Sequence, residues 1–213
     1  MLKKFFAAVA LVMFVTGTAS ATNYFGGVSS PTYKVGNNLT QATIQIATSP
    51  PCGGGGVCNT RATVQLTTQS GSQYRAGVRW DPSGACGPNQ SQMFGNLNTT
   101  GDVVKGCVPM SALVTVKVTH EANNSFKLWW TYNGVTQTSS ASSSHSQATT
   151  AKSCPTQIII YKNSAIPDPV PVIISVQNRT CTNVTGDVLY PSNAYWSQWF
   201  PNTLTNFGIQ RFE

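Results

Sequence analysis

The chain has 213 residues, with 13 Lys and Arg against 6 Asp and Glu and a formal net charge of +7. Charged residues make up only 9% of it, against about 25% in ordinary domains, so the polar surface must be built from Ser, Thr, Asn, Gln and Gly. From Lys34 onward the basic residues stand singly, which excludes a basic tail or a nucleic-acid stripe, and the length suits one domain with a sizeable core.

The chain opens as a secretory signal. Met1-Leu2-Lys3-Lys4 is basic, residues 5–15 are an unbroken apolar run, and Ala19-Ser20-Ala21 is a small-residue cleavage site. The run is too short to span a bilayer as a helix. Cleavage after Ala21 leaves 11 basic against 6 acidic side chains, a mature net charge of +5. Residues 22–213 then fold outside the cytoplasm, where thiols oxidise.

Five segments alternate apolar and polar residues with period two. Their apolar sets are Ala42, Ile44, Ile46; Ala62, Val64, Leu66; Tyr74, Ala76, Val78, Trp80; Ala112, Val114, Val116, Val118; and Phe126, Leu128, Trp130, Tyr132. That pattern predicts half-buried antiparallel strands. Asn133-Gly134 supplies the positive φ values of a tight hairpin, so residues 112–138 read as a three-stranded meander. Residues 158–161 and 170–176 look like more fully buried strands, the second limited to an edge by Pro167, Pro169 and Pro171. Residues 139–153 read as a mobile Ser/Thr-rich loop. Residues 191–200 read as a short helix, capped by Ser192 or Asn193 and ended by Pro201.

All six cysteines, Cys52, Cys58, Cys86, Cys107, Cys154 and Cys181, lie in the mature part. Six allow 15 pairings, and sequence alone does not choose among them. Proximity favours Cys52 with Cys58, Cys86 with Cys107 and Cys154 with Cys181. The spacings do not fit zinc. The glycines between Cys52 and Cys58 lack the Lys and helix of a phosphate-binding loop. No metal or cofactor is expected.

No catalytic constellation stands out. His120 sits at the rim of its strand and His145 in the Ser-rich loop, neither beside a nucleophile motif. Asp81, Asp102, Glu121, Asp168, Asp187 and Glu213 are scattered, mostly at turn positions. The aromatics are more suggestive. Trp129 falls on the polar face of its strand between Lys127 and Thr131, where it can stack on a ligand. Tyr195, Trp196, Trp199 and Phe200 would form one stripe on the C-terminal helix, with Trp196 and Trp199 as further contact candidates.

The reading is therefore a single all-β domain: an antiparallel β-sandwich, jelly-roll or Ig-like, of about eight to ten strands with a short C-terminal helix. Its expected role is a bacterial non-catalytic binding or adhesion module, secreted or periplasmic, recognising a glycan or cell-surface protein. The alternative is a secreted hydrolase of polysaccharide or envelope material, and a further one is a fibre or surface-structure subunit.

Overall fold

A computed structural model of the chain describes residues 23–29, 38–47, 58–80, 85–98, 101–121, 125–141, 151–163, 175–189 and 197–199. Within them lie fourteen strands: β1 (Asn23–Ser29), β2 (Leu39–Ala47), β3 (Cys58–Thr68), β4 (Gln73–Trp80), β5 (Gln90–Leu97), β6 (Val103–Pro109), β7 (Leu113–His120), β8 (Phe126–Tyr132), β9 (Val135–Ala141), β10 (Ala151–Ser153), β11 (Thr156–Asn163), β12 (Ser175–Asn183), β13 (Val188–Leu189) and β14 (Ser197–Trp199). The main hydrogen-bonded path runs β14-β1-β11-β3-β10-β2-β7-β8-β9. The β4-β5-β6 meander branches from β3, and β12-β13 branches from β2. All these pairings are antiparallel. The path folds back on itself, so that β4 lies over β7 and β8, and β5 over β8. The result is an all-β, nearly closed, sandwich-like enclosure.

The five alternating segments are strands, and their apolar sets meet in one core. Ala42, Ile44, Val64, Leu66, Ala76, Val114, Val116, Val118, Phe126, Leu128 and Trp130 are all fully buried. The Tyr74 ring stacks on Phe126 with centroids 3.7 Å apart, and burial pushes the Tyr74 phenol above its ordinary pKa of 10.0. The meander is present as β7-β8-β9. Its second turn is made by Asn133 and Gly134, at φ 48° and 75°, the left-handed pair a two-residue hairpin requires.

Trp130 ties the layers together. Its indole N–H reaches across the core and donates to the carbonyls of Gly77 on β4 and Phe94 on β5, both at 3.1 Å. Gly95 makes room for this approach. A Cβ there would lie 2.6 Å from Leu128 Cδ1 and 2.8 Å from Trp130 Cζ2.

Three expectations are corrected. Ser197–Trp199 is strand β14, paired with Gly27–Ser29 of β1, so the expected helix over 191–200 does not form there. Extended backbone bonded to a neighbour cannot carry a helical stripe. The described residues alone hold fourteen strands, because short pieces such as β10, β13 and β14 show no alternation long enough to read. Of the expected 139–153 loop, residues 139–141 belong to β9 and 151–153 to β10, and residues 142–150 lie outside the described ones.

Cys86 pairs with Cys107, and Cys154 with Cys181, at Cα separations of 5.6 and 6.4 Å. Cys52 lies outside the described residues, as do residues 1–21, 164–174 and 190–196. No described helix is long and apolar enough to cross a membrane.

Candidate functional site

Two polar strand faces turn away from the core. The first belongs to β2, β7, β8 and β9. Cross-strand register sets Thr43 opposite Lys117 and Lys117 opposite Trp129. It also sets Gln45 opposite Thr115, Thr115 opposite Thr131, and Thr131 opposite Thr136. A cleft of about 370 Å³ lies over these rows. Trp129 is partly exposed where Trp130 is fully buried, as strand phase predicts. Its indole N–H donates to Thr119 Oγ1 at 2.9 Å, and that hydroxyl donates to Glu121 Oε1 at 2.6 Å. The Lys117 and Lys127 ammonium groups sit 4.5 and 4.0 Å from the Trp129 ring centroid, where the ring quadrupole attracts a cation.

The second face belongs to β3, β4 and β5. Here Thr63, Gln65, Gln92 and Phe94 are buried although they point away from the core. Arg79 Nε donates to Gln92 Oε1 at 2.8 Å, and Arg79 Nη1 donates to Asp102 Oδ2 at 2.7 Å. The guanidinium carbon stands 5.0 Å from the Phe94 centroid. With its oxygen taken by Arg79, the Gln92 carboxamide has its orientation set and keeps its N–H donors for another partner. Gln65 donates to Thr67 at 2.8 Å, while its buried Oε1 has no hydrogen-bond donor among the described residues. A buried acceptor of this kind is costly unless water, an ion or a ligand serves it. Gly77 lies in the same face between Thr63 and Phe94. A Cβ there would collide with the Ala62 carbonyl and approach Thr63 Cγ2 to 2.6 Å, so the floor of the face stays at backbone level.

The structure brings Trp129, Lys127 and Thr131 together on the first face. Trp199 belongs to β14, which pairs with β1, and Trp196 lies outside the described residues. The described carboxylates do not converge. Asp102 is held by Arg79 and Glu121 by Thr119. Asp187 closes a turn with Thr185 and Asn183, whose hydrogen bonds hold its carboxyl below the usual range. Among the described residues no three His, Cys, Asp or Glu side chains gather as a metal site would need. Sequence reading missed the second face altogether. The available signal was Gln and Arg among the polar residues of these segments, Gln65, Arg75, Arg79 and Gln92, in a chain otherwise poor in charge.

This enclosure is the class of all-β fold found in a group of solved peptidases. The chain aligns over 84% of its length with a scytalido-glutamic peptidase bound to a peptide-based transition-state analogue, covering 88% of that chain with a TM-score of 0.54 and 13% identity. It aligns equally far with SCP-B, a member of the eqolisin family of peptidases in complex with the tripeptide Ala-Ile-His, with a TM-score of 0.53 and 14% identity. A second scytalido-glutamic peptidase complex, with a transition-state analogue inhibitor, gives a TM-score of 0.51 at 15% identity, over 80% of this chain and 85% of that one. At these identities the fold is what is shared. No family model matches the sequence, and no curated protein matches it either. The expectation of a non-catalytic adhesion or glycan-binding module is overturned by these neighbours, which are peptidases. Alternating strands and an outward tryptophan suit an enzyme and a binding module equally, so the pattern could not separate them.

Proposed function

We propose that the chain is an exported hydrolase acting on peptide bonds, with its reacting groups on the outward face of β4 and β5 and at Asp102, just before β6. The observation that carries this reading is the Asp102–Arg79–Gln92 chain of hydrogen bonds, set on rigid strands in a fold that solved peptidases share. Asp102 is the general base. It takes a proton from a water whose oxygen attacks the scissile carbonyl carbon. The Gln92 amide N–H donates to the oxygen that becomes the oxyanion. Arg79 fixes the spacing of the two groups and keeps Gln92 turned donor-outward. Protonated Asp102 then returns the proton to the leaving amine as the C–N bond breaks.

Residues 22–213 form one mature domain of jelly-roll kind, released by cleavage after Ala21. Its two described disulfides suit an oxidising compartment outside the cytoplasm.

The test is hydrolysis of a fluorogenic peptide library by the mature protein across acid to neutral pH. Asp102→Asn and Gln92→Ala should each lower kcat by about 100-fold or more, with the fold retained by far-UV circular dichroism. Retention of full activity in Asp102→Asn, or no cleavage of any peptide by the wild type, would overturn the reading.

A further inference from the structure

The groove over β2, β7, β8 and β9 is separate from the face just assigned to hydrolysis. We propose that it is a binding site for an acidic peptide in extended conformation. Three observations carry this.

The first is charge. Lys117 lines the groove, the Lys127 ammonium lies beside it over the Trp129 ring, 4.0 Å from its centroid, and no described carboxylate is in an ion pair with either. Glu121, the nearby acid, is engaged by the Thr119 hydroxyl. Two cations gathered by one indole, neither in an ion pair with a described carboxylate, favour an anionic ligand in a chain with so few charges.

The second is the order of the rows. One transverse row, Thr115–Thr131–Thr136, offers neutral hydroxyls, and the next, Thr43–Lys117–Trp129, offers a cation and an aromatic face. Hydroxyls suit the amides and carbonyls of a main chain, and the cation–aromatic row suits carboxylate side chains and their methylene stems. A bare anion would use only the second row.

The third is size. Four strands about 4.8 Å apart give a span of roughly 14 Å, the length of about four extended residues. The cleft volume of about 370 Å³ agrees with a short segment of that kind.

The inference is independent of the hydrolytic reading, because binding here involves neither Asp102 nor Gln92. The probes are a fluorescein-labelled octapeptide rich in Glu, its Gln counterpart, and an oligothymidylate of equal charge, each titrated into the mature protein by fluorescence anisotropy. The Glu peptide should bind at least about tenfold more tightly than the Gln peptide. Lys117→Gln with Lys127→Gln should abolish that preference, and Lys→Arg at both positions should restore it. Trp129→Ala should weaken the Glu peptide by about tenfold or more, while Asp102→Asn should leave its binding unchanged. Equal binding of the Glu and Gln peptides would overturn the proposal, as would a preference that survives the double Gln variant. Tighter binding of the oligothymidylate than of the Glu peptide would assign the groove to phosphate and overturn it too.

Discussion

Adjacent tryptophans on β8 make opposite predictions. Trp130 is fully buried, and its N–H serves two carbonyls on the facing strands. Trp130→Ala removes a large core ring and leaves both carbonyls without that donor. Loss of a buried aromatic costs about 3–5 kcal/mol, which for a domain of this size lowers the melting temperature by about 6–20 °C. Trp130→Phe keeps most of the ring and isolates the donor, at about 1–3 kcal/mol. Trp129 is partly exposed at the open groove and makes one hydrogen bond and two cation contacts. Trp129→Ala opens no internal cavity and should cost about 1 kcal/mol or less. Urea unfolding followed by far-UV circular dichroism measures all three. Equal destabilisation by Trp129→Ala and Trp130→Ala would mean that both faces of β8 are packed alike. The assignment of the groove as an open surface would then fail.

Gly95→Ala should destabilise by about 1–3 kcal/mol through overpacking, because its Cβ would press on Leu128, Trp130 and the Arg75 carbonyl; an unchanged melting temperature would show that this contact yields freely. Stability should decline in alkali. The Tyr74 pKa is raised in the fold, so its contribution is intact below the unfolded value of about 10 and is lost as pH climbs through the folded one. Tyr74→Phe should flatten that decline, and an identical pH profile in the variant would remove Tyr74 as its cause. Intact mass of the exported protein should correspond to a chain beginning at Thr22 with no thiol open to alkylation after denaturation without reductant, and a retained leader or a labelled cysteine would contradict this.

The strands were legible wherever one face was apolar and the other polar. For β2, β3, β4, β7 and β8 the alternation named the core residues correctly, because burial on a single face is what period two encodes. Strand β5 was invisible for the converse reason. In Gln90–Leu97 both faces are buried, Met93 and Leu97 toward the core, Gln92 and Phe94 away from it, so nothing alternates. The second polar face was lost with β5. Its members come from β3, β4, β5 and Asp102 just before β6, and only the register places Arg79 beside Gln92. The groove was partly legible, since Lys127, Trp129 and Thr131 share one strand. Lys117 joins them from the neighbouring strand, which one strand's pattern cannot report. The C-terminal aromatics misled because helical spacing and a short strand are indistinguishable over a few residues.

The two polar faces should also answer differently to salt, which follows from how each uses its few charges. Arg79 and Asp102 are in direct contact, with side chains only 22% and 26% exposed, and added ions screen such a pair weakly. Lys117 at the groove and Lys127 beside it are in no ion pair with a described carboxylate, so a ligand's carboxylates must be drawn to them through solvent. Raising ionic strength from about 0.1 to 1 M shortens the screening length from about 10 to 3 Å. Acidic-peptide binding in the groove should therefore weaken several-fold, while cleavage of an uncharged peptide on the other face stays within about twofold. Parallel titrations and rate measurements at the two ionic strengths decide it. If both activities fall together, one charged surface serves both, and the division between a hydrolytic face and a separate acidic-peptide groove is wrong.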